Sequence, residues 1–224
     1  MKIQKDVFWK ALLLTLFIFI LGVLLGYYLE SHKISEVESQ QKQIEIQWAD
    51  ARLQNSYYQL MTPTSEFCEI AIDENLKFAD KVYQEGIRIE EYEKTNRLHE
   101  ELLYEKKRYA LLKIEFWMNS IFLKQKCKAS YTNLVYLFKN KPNTIEKTRQ
   151  DIQSVVLRDL KEKYGPDLML IPFPVDLDLA VINMVKETYN ITSSPTILIN
   201  EKIKLEGVKT IEEIEKAIKN AQNM

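Results

Sequence analysis

Few side chains in this chain are suited to redox or metal chemistry: Cys68, Cys127, His32 and His99. A zinc or iron–sulfur centre needs a full set of soft ligands at close spacing. Here the four candidates are scattered, so no metal site and no cofactor are expected. Two thiols permit at most one intramolecular disulfide. The chain shows no glycine-rich phosphate loop, nucleophile elbow or metal-binding helix motif. The charged run from Glu90 to Lys107 offers acids and bases, but its spacing suits a solvated helix face laced with i,i+4 pairs. Asn190-Ile191-Thr192 is a sequon for N-glycosylation, a short pattern that also arises by chance.

The composition narrows the partners. With 31 basic and 32 acidic residues and a net charge of −1, no basic face for nucleic acid is expected. Only five glycines and six prolines occur in 224 residues, and the weight of Lys, Glu, Ile and Leu favours long helices.

From Ala11 to Leu29 there is no charged residue. At about 1.5 Å per residue that stretch is roughly 28 Å long as a helix, close to the hydrocarbon thickness of a bilayer. Phe8 and Trp9 at one end and Tyr27 and Tyr28 at the other suit the two interfaces. A cleaved signal peptide would need small residues before the cut, and Gly26-Tyr27-Tyr28-Leu29-Glu30 supplies no such site. We therefore expect residues 1–29 to be a stub and a single-pass anchor. Lys2, Lys5 and Lys10 precede the span, so the positive-inside bias puts the N-terminus in the cytoplasm and the rest outside the cell membrane.

Residues 30–127 are expected to be helical. Ile34, Val37, Ile44, Trp48, Ala51 and Tyr58 recur at spacings of three and four, with Gln41 and Asn55 in register. Such a stripe serves either a dimeric coiled-coil stalk through residues 34–58 or packing on the chain's own next helices; the second is preferred. A helix from Thr64 or Ser65 to about Gly86 and another from about Thr95 to Lys124 should form an antiparallel hairpin. Ile87–Glu93 would be a short extra turn between them. Cys68 and Cys127 then lie on the same side of the hairpin tip, but on arms of unequal length. A disulfide is geometrically possible and suits an oxidising compartment; two buried free thiols remain the alternative.

Residues 128–224 change pattern. The expected order is a strand at 133–138, a helix at 144–163 capped by Asn143 and Glu146, a strand at 168–173, a helix around Leu179–Val185, a hairpin of strands at 195–205, and a last helix capped by Thr210 and Glu213. Crossover connections imply parallel strands first and an antiparallel pair last.

Tyr189-Asn-Ile-Thr-Ser-Ser-Pro-Thr-Ile-Leu-Ile-Asn200, followed by a basic-apolar strand and Gly207, resembles the thioredoxin-fold superfamily. The resemblance covers roughly residues 131–221. It implies an α/β domain with a four-stranded mixed sheet, and a cis peptide bond between Ser194 and Pro195. It also implies a peptide groove at Ser193, Ser194 and Pro195, with Lys139, Lys141 and Thr144 across it; the alternative is that Pro195 only shapes the turn. The redox members of that superfamily carry Cys-x-x-Cys at the start of the helix after the first strand, where helix-end amides favour a thiolate. Here that stretch reads Lys139-Asn-Lys-Pro-Asn-Thr144 and contains no sulfur. The expectation is a membrane-anchored, non-catalytic binding or scaffold protein for an envelope protein or a membrane complex. The alternative is an accessory of thiol–disulfide exchange that uses Cys68 and Cys127 while the terminal domain recognises the client.

Overall fold

The computed structural model describes residues 3–95 and 99–222. It divides into two compact units, Met1–Asp50 and Ala51–Met224. Helix α1 (Ile3–Leu60) supplies the first unit and opens the second. Its segment Phe8–Gly26 is long and apolar enough to cross a membrane, with side chains such as Phe17, Phe19 and Leu25 exposed. The side chains of residues 27–44 fall outside the described residues, and with them Tyr27, Tyr28, Ile34, Val37, Gln41 and Ile44.

In the second unit, Ala51 and Tyr58 of the expected apolar stripe are buried. The Tyr58 ring stacks on Phe122 at 6.2 Å and meets Phe67 edge-on at 6.0 Å. Asn55 donates a 3.2 Å hydrogen bond to Glu115. These residues are thus satisfied within the chain.

Helices α2 (Ser65–Thr95) and α3 (His99–Cys127) pack on one another. Thr64 begins α2, its hydroxyl accepting from the Phe67 N–H at 3.2 Å. The expected stop at Gly86 is not observed. Gly86 lies inside α2 because its missing Cβ leaves room for the Tyr109 hydroxyl of α3, and the Glu85–Arg88 pair spans the same turn. The two arms therefore have nearly equal lengths, 31 and 29 residues, and Cys68 comes level with Cys127 without a bend.

The sheet has the order β2-β1-β3-β4. Strands β1 (Thr132–Phe138) and β2 (Leu168–Pro174) are parallel, joined by α4 (Thr144–Tyr164) and a single turn of 3-10 helix at Gly165–Asp167. Helix α5 (Ala180–Thr188) leads to β3 (Thr196–Ile199), which runs antiparallel to β1 and pairs with β4 (Ile203–Glu206). Helix α6 (Ile211–Gln222) closes the fold. β1 has neighbours on both edges and cover on both faces, so its run Leu134–Leu137 is wholly buried.

Strand alternation sorts the core. Leu134, Tyr136, Leu168, Ile197 and Ile199 face α4 and α6, where they meet Leu157, Leu160, Ile214 and Ile218. The opposite face lies under α3. There Trp117 touches Phe173 and Tyr189, at centroid distances of 6.0 and 5.7 Å. Helix α4 starts at a full capping box: Asn143 accepts from the Glu146 N–H at 2.9 Å, and Glu146 accepts from the Asn143 N–H at 3.0 Å. α6 is capped in the same way by Thr210 and Glu213.

Candidate functional site

The end of the sheet where β1 finishes, α4 starts and β3 starts gathers most of the sequence candidates. The peptide bond between Ser194 and Pro195 is cis. Pro195 is buried and Ser194 is half-buried. The Pro195 carbonyl accepts from the Gly207 N–H at 2.9 Å, and the Ser193 carbonyl accepts from the Thr196 hydroxyl at 2.8 Å. Among the described residues, the backbone N–H and carbonyl of Ser194 have no such partner. One pair of main-chain groups is therefore left open beside the proline.

Gln150, buried on the second turn of α4, holds this end together. Its side-chain oxygen accepts from the Lys139 N–H at 2.9 Å and from the Ser194 hydroxyl at 3.3 Å. Its amide nitrogen donates to the Lys139 carbonyl at 3.1 Å. A single side chain thus completes the backbone of the β1–α4 turn and ties it to Ser194. The Gln150 main-chain carbonyl accepts from the Tyr136 hydroxyl at 3.2 Å, and burial pushes that phenol up to about 12.

The β1–α4 turn is held from the other side by Asp176. Its two carboxylate oxygens accept from the backbone N–H groups of Asn140 and Lys141, at 2.6 and 2.9 Å. Lys139 extends to Glu146 at 2.6 Å, and that hydrogen bond holds the Glu146 carboxyl below its usual range. The Lys141 and Thr144 side chains are exposed. Among the described residues no hydrogen bond joins either to Ser193, Ser194 or Pro195. Lys139 and Ser194 are brought together; Lys141 and Thr144 sit nearby without contact. Gln150 and Asp176 were not among the sequence candidates, since each acts through contacts 11 to 44 residues away in the chain.

Cys68 and Cys127 form a disulfide, with Cα atoms 5.2 Å apart. Cys127 ends α3, ahead of β1, whereas Pro195 adjoins the far end of β1. Seven strand residues at about 3.3 Å each put roughly 20 Å between the two places. Asn190 of the sequon is exposed on the turn after α5, in the left-handed region at φ 50°. Its carbonyl accepts from Lys204 at 2.8 Å. Among the described residues no cluster of His, Cys, Asp and Glu has the arrangement of a metal site.

A second polar cluster lies at the opposite end of β1. Glu201 accepts from the Trp117 indole at 2.6 Å and from the Asn133 amide at 3.1 Å. Asn133 and Asn200 bond reciprocally, backbone to backbone and side chain to backbone, each at 2.9 Å. The Ser120 hydroxyl donates to Asn133. Burial raises the Glu201 carboxyl above its ordinary range. Every member of this cluster bonds within the chain, and it fixes the β3–β4 turn to α3.

The sheet order, the crossover through α4 and the proline before β3 make this an α/β unit of thioredoxin-like architecture. Solved structures similar to part of the chain include thioredoxins. One is chloroplastic thioredoxin z, at 16% identity and a TM-score of 0.35, covering 44% of this chain and 84% of that one. Another is thioredoxin O2 of Arabidopsis thaliana in its oxidized state, at 20% identity and a TM-score of 0.34, covering 48% and 87%. A third is the germline-specific thioredoxin Deadhead of Drosophila melanogaster, at 15% identity and a TM-score of 0.31, covering 48% and 94%. No family model matches the chain. No curated protein matches it either.

Proposed function

We propose that this chain is a membrane-anchored, extracytoplasmic binding or scaffold protein whose thioredoxin-like unit grips an extended segment of a client without catalysing thiol exchange. The observation that carries the reading is the open main chain of Ser194 beside Pro195. An N–H and a carbonyl at the rim of a groove can take the backbone of an extended peptide, the β-augmentation mode of recognition. The chemistry beside them supports binding over redox turnover. A thiol at the α4 start would be activated by helix-end amides, but residues 139–144 carry no sulfur and the turn amides are taken up by Asp176.

The anchor would be Phe8–Gly26, with the lysines before it held in the cytoplasm. The client would be another envelope protein or a subunit of a membrane complex. In-cell photocrosslinking from position 194 tests the reading: a discrete captured protein is expected, and capture no stronger than from exposed Ile152 would sink it. Thiol trapping of the same cells tests the non-catalytic part. Cys68 and Cys127 should stay oxidised, and mixed disulfides through either would replace this reading with thiol exchange.

A further inference from the structure

β2 is an edge strand, and its outer edge opens into a groove of ≈ 1150 Å³ between α2, α3 and α4. One end of this groove adjoins the Ser194 site, where Lys139, Lys141 and Gln150 line it, and from there it runs along β2 and α4, whereas Pro195 leads into β3 on the other side of β1. Leu170, Ile171 and Pro172 line it along the strand, Val82 and Tyr83 along α2, and Phe116 along α3.

Backbone, shape and charge select the occupant. The Leu168 carbonyl accepts from Lys161 at 2.7 Å, so the main-chain groups of that residue face away from β1. Alternation along the strand turns those of Leu170 the same way, into the groove, while Met169 and Ile171 serve the ladder to β1. Pro172 and Pro174 fall on the same outward side and carry no N–H, so the edge offers a partner the Leu170 N–H and carbonyl and the Pro172 carbonyl, a short ladder at mid-groove. The groove follows α4 from Lys147 to Glu162, about 22 Å at 1.5 Å per residue, which is room for roughly seven extended residues.

Its lining carries seven cationic side chains against four anionic ones. Lys113 is the telling one. It is 7% exposed, its ammonium lies 3.8 Å from the centre of the Tyr109 ring, and it pairs with no carboxylate among the described residues. Lys141, Lys147 and Arg158 at the exposed rim are likewise without a carboxylate partner among the described residues. A buried ammonium facing an open groove is best satisfied by an anion brought from outside.

We propose that this groove receives an extended acidic segment of a partner protein, which pairs with the Leu170 main chain on the β2 edge and sets a carboxylate beside Lys113. The reading does not depend on peptide capture at Ser194. Fluorescence anisotropy on the full-length chain in detergent tests it, using a fluorescein-labelled peptide of about eight residues that alternates glutamate and valine. Saturable binding is expected, weakened about tenfold or more by Lys113→Met, since removing one close charge of a desolvated pair costs at least that much, and weakened by a smaller, salt-sensitive factor by Arg158→Glu at the exposed rim. The exposed Arg158→Glu change keeps the test valid should the buried substitution disturb folding. N-methylation of the peptide amides that face Leu170 should weaken binding, and a benzophenone replacing Tyr83 should capture the peptide.

Equal binding of a lysine–valine peptide, or indifference to N-methylation, would overturn the proposal. So would capture from position 194 with none from position 83, which would move the peptide to the other groove. A labelled fatty acid that binds where the peptide does not would also overturn it, and would assign the groove to a lipid.

Discussion

The two faces of the sheet are covered by helices of different character. Under α4 and α6 the contacts are mostly those of a dry core: leucines, isoleucines and alanines fill the space from both sides, and the side-chain oxygens of the buried Gln150 and Gln153 accept from backbone N–H groups. Under α3 the interior holds Lys113, Asn119, Ser120 and Asn133, all buried, with Glu201 reaching in from the β3–β4 turn. The first face stabilises mainly through burial, which is non-directional and tolerant. The second depends on particular partners, and where a partner is missing it loses stability. That is also the face to which the disulfide belongs. It closes the hairpin at the end remote from its tip, and so ties the end of α3 to the start of α2.

This contrast can be broken or sharpened by substitution, beginning with the staple. Replacing both Cys68 and Cys127 by serine opens a loop of 59 residues and should lower stability by about 4 kcal/mol in the chain-entropy model. Denaturant unfolding of the full chain in detergent reads the loss. A change below the error of that measurement would mean the polar face holds itself.

Lys113→Met should act in the opposite sense. Burial lowers the Lys113 ammonium to about 7, against about 10.4 in an unfolded chain. Between those values the unfolded state binds more protons, so stability rises as pH goes from about 7 toward 10 and is lowest below 7. The methionine variant should lose that slope and gain on the order of 3 kcal/mol at neutral pH. Parallel stability curves for the two proteins would contradict it.

On the dry face, Gln150→Leu strands the Lys139 N–H and carbonyl and should cost about 2 kcal/mol, together with crosslinking from position 194. If stability falls while crosslinking persists, Gln150 braces the turn without shaping the groove. The smallest effect is expected at Asn119, which is fully buried with no hydrogen-bond partner for its amide among the described residues. Asn119→Leu should stabilise by about 1 kcal/mol in the same unfolding assay, and a loss instead would reveal a partner for that amide.

How much of this could be read from the residues follows the same division. Apolar periodicity located the helix and strand order of residues 132–222, because the dry core is built from repeating patterns that local sequence displays. Asn143 with Glu146 and Thr210 with Glu213 gave the helix starts, because a cap is made within four residues. The proline before β3 was legible through its neighbours from Tyr189 to Asn200. Gly86 misled, since a glycine inside a helix reads as a stop unless the tyrosine that needs its space is known. Gln150, Asp176, Lys113 and Glu201 were not distinguishable from solvent-facing polar residues on helices and turns. What sets them apart is a partner or a burial created only when distant segments meet, and no periodicity carries that. The disulfide stood between these cases: the hairpin placed both sulfurs on one side, but the equal arms that bring them level depend on α2 continuing past Gly86.

Asp176 has a bearing on engineering. Converting Asn140 and Asn143 to cysteines would reproduce the spacing of a dithiol centre in the right place, yet the product should be a sluggish one. A fixed carboxylate bonded to two successive amides of that turn opposes a second negative charge there, so a new thiol would stay protonated at neutral pH. Reactivity would have to be installed in two moves, sulfur in and Asp176 out, and the removal would release the turn that the sulfur needs held.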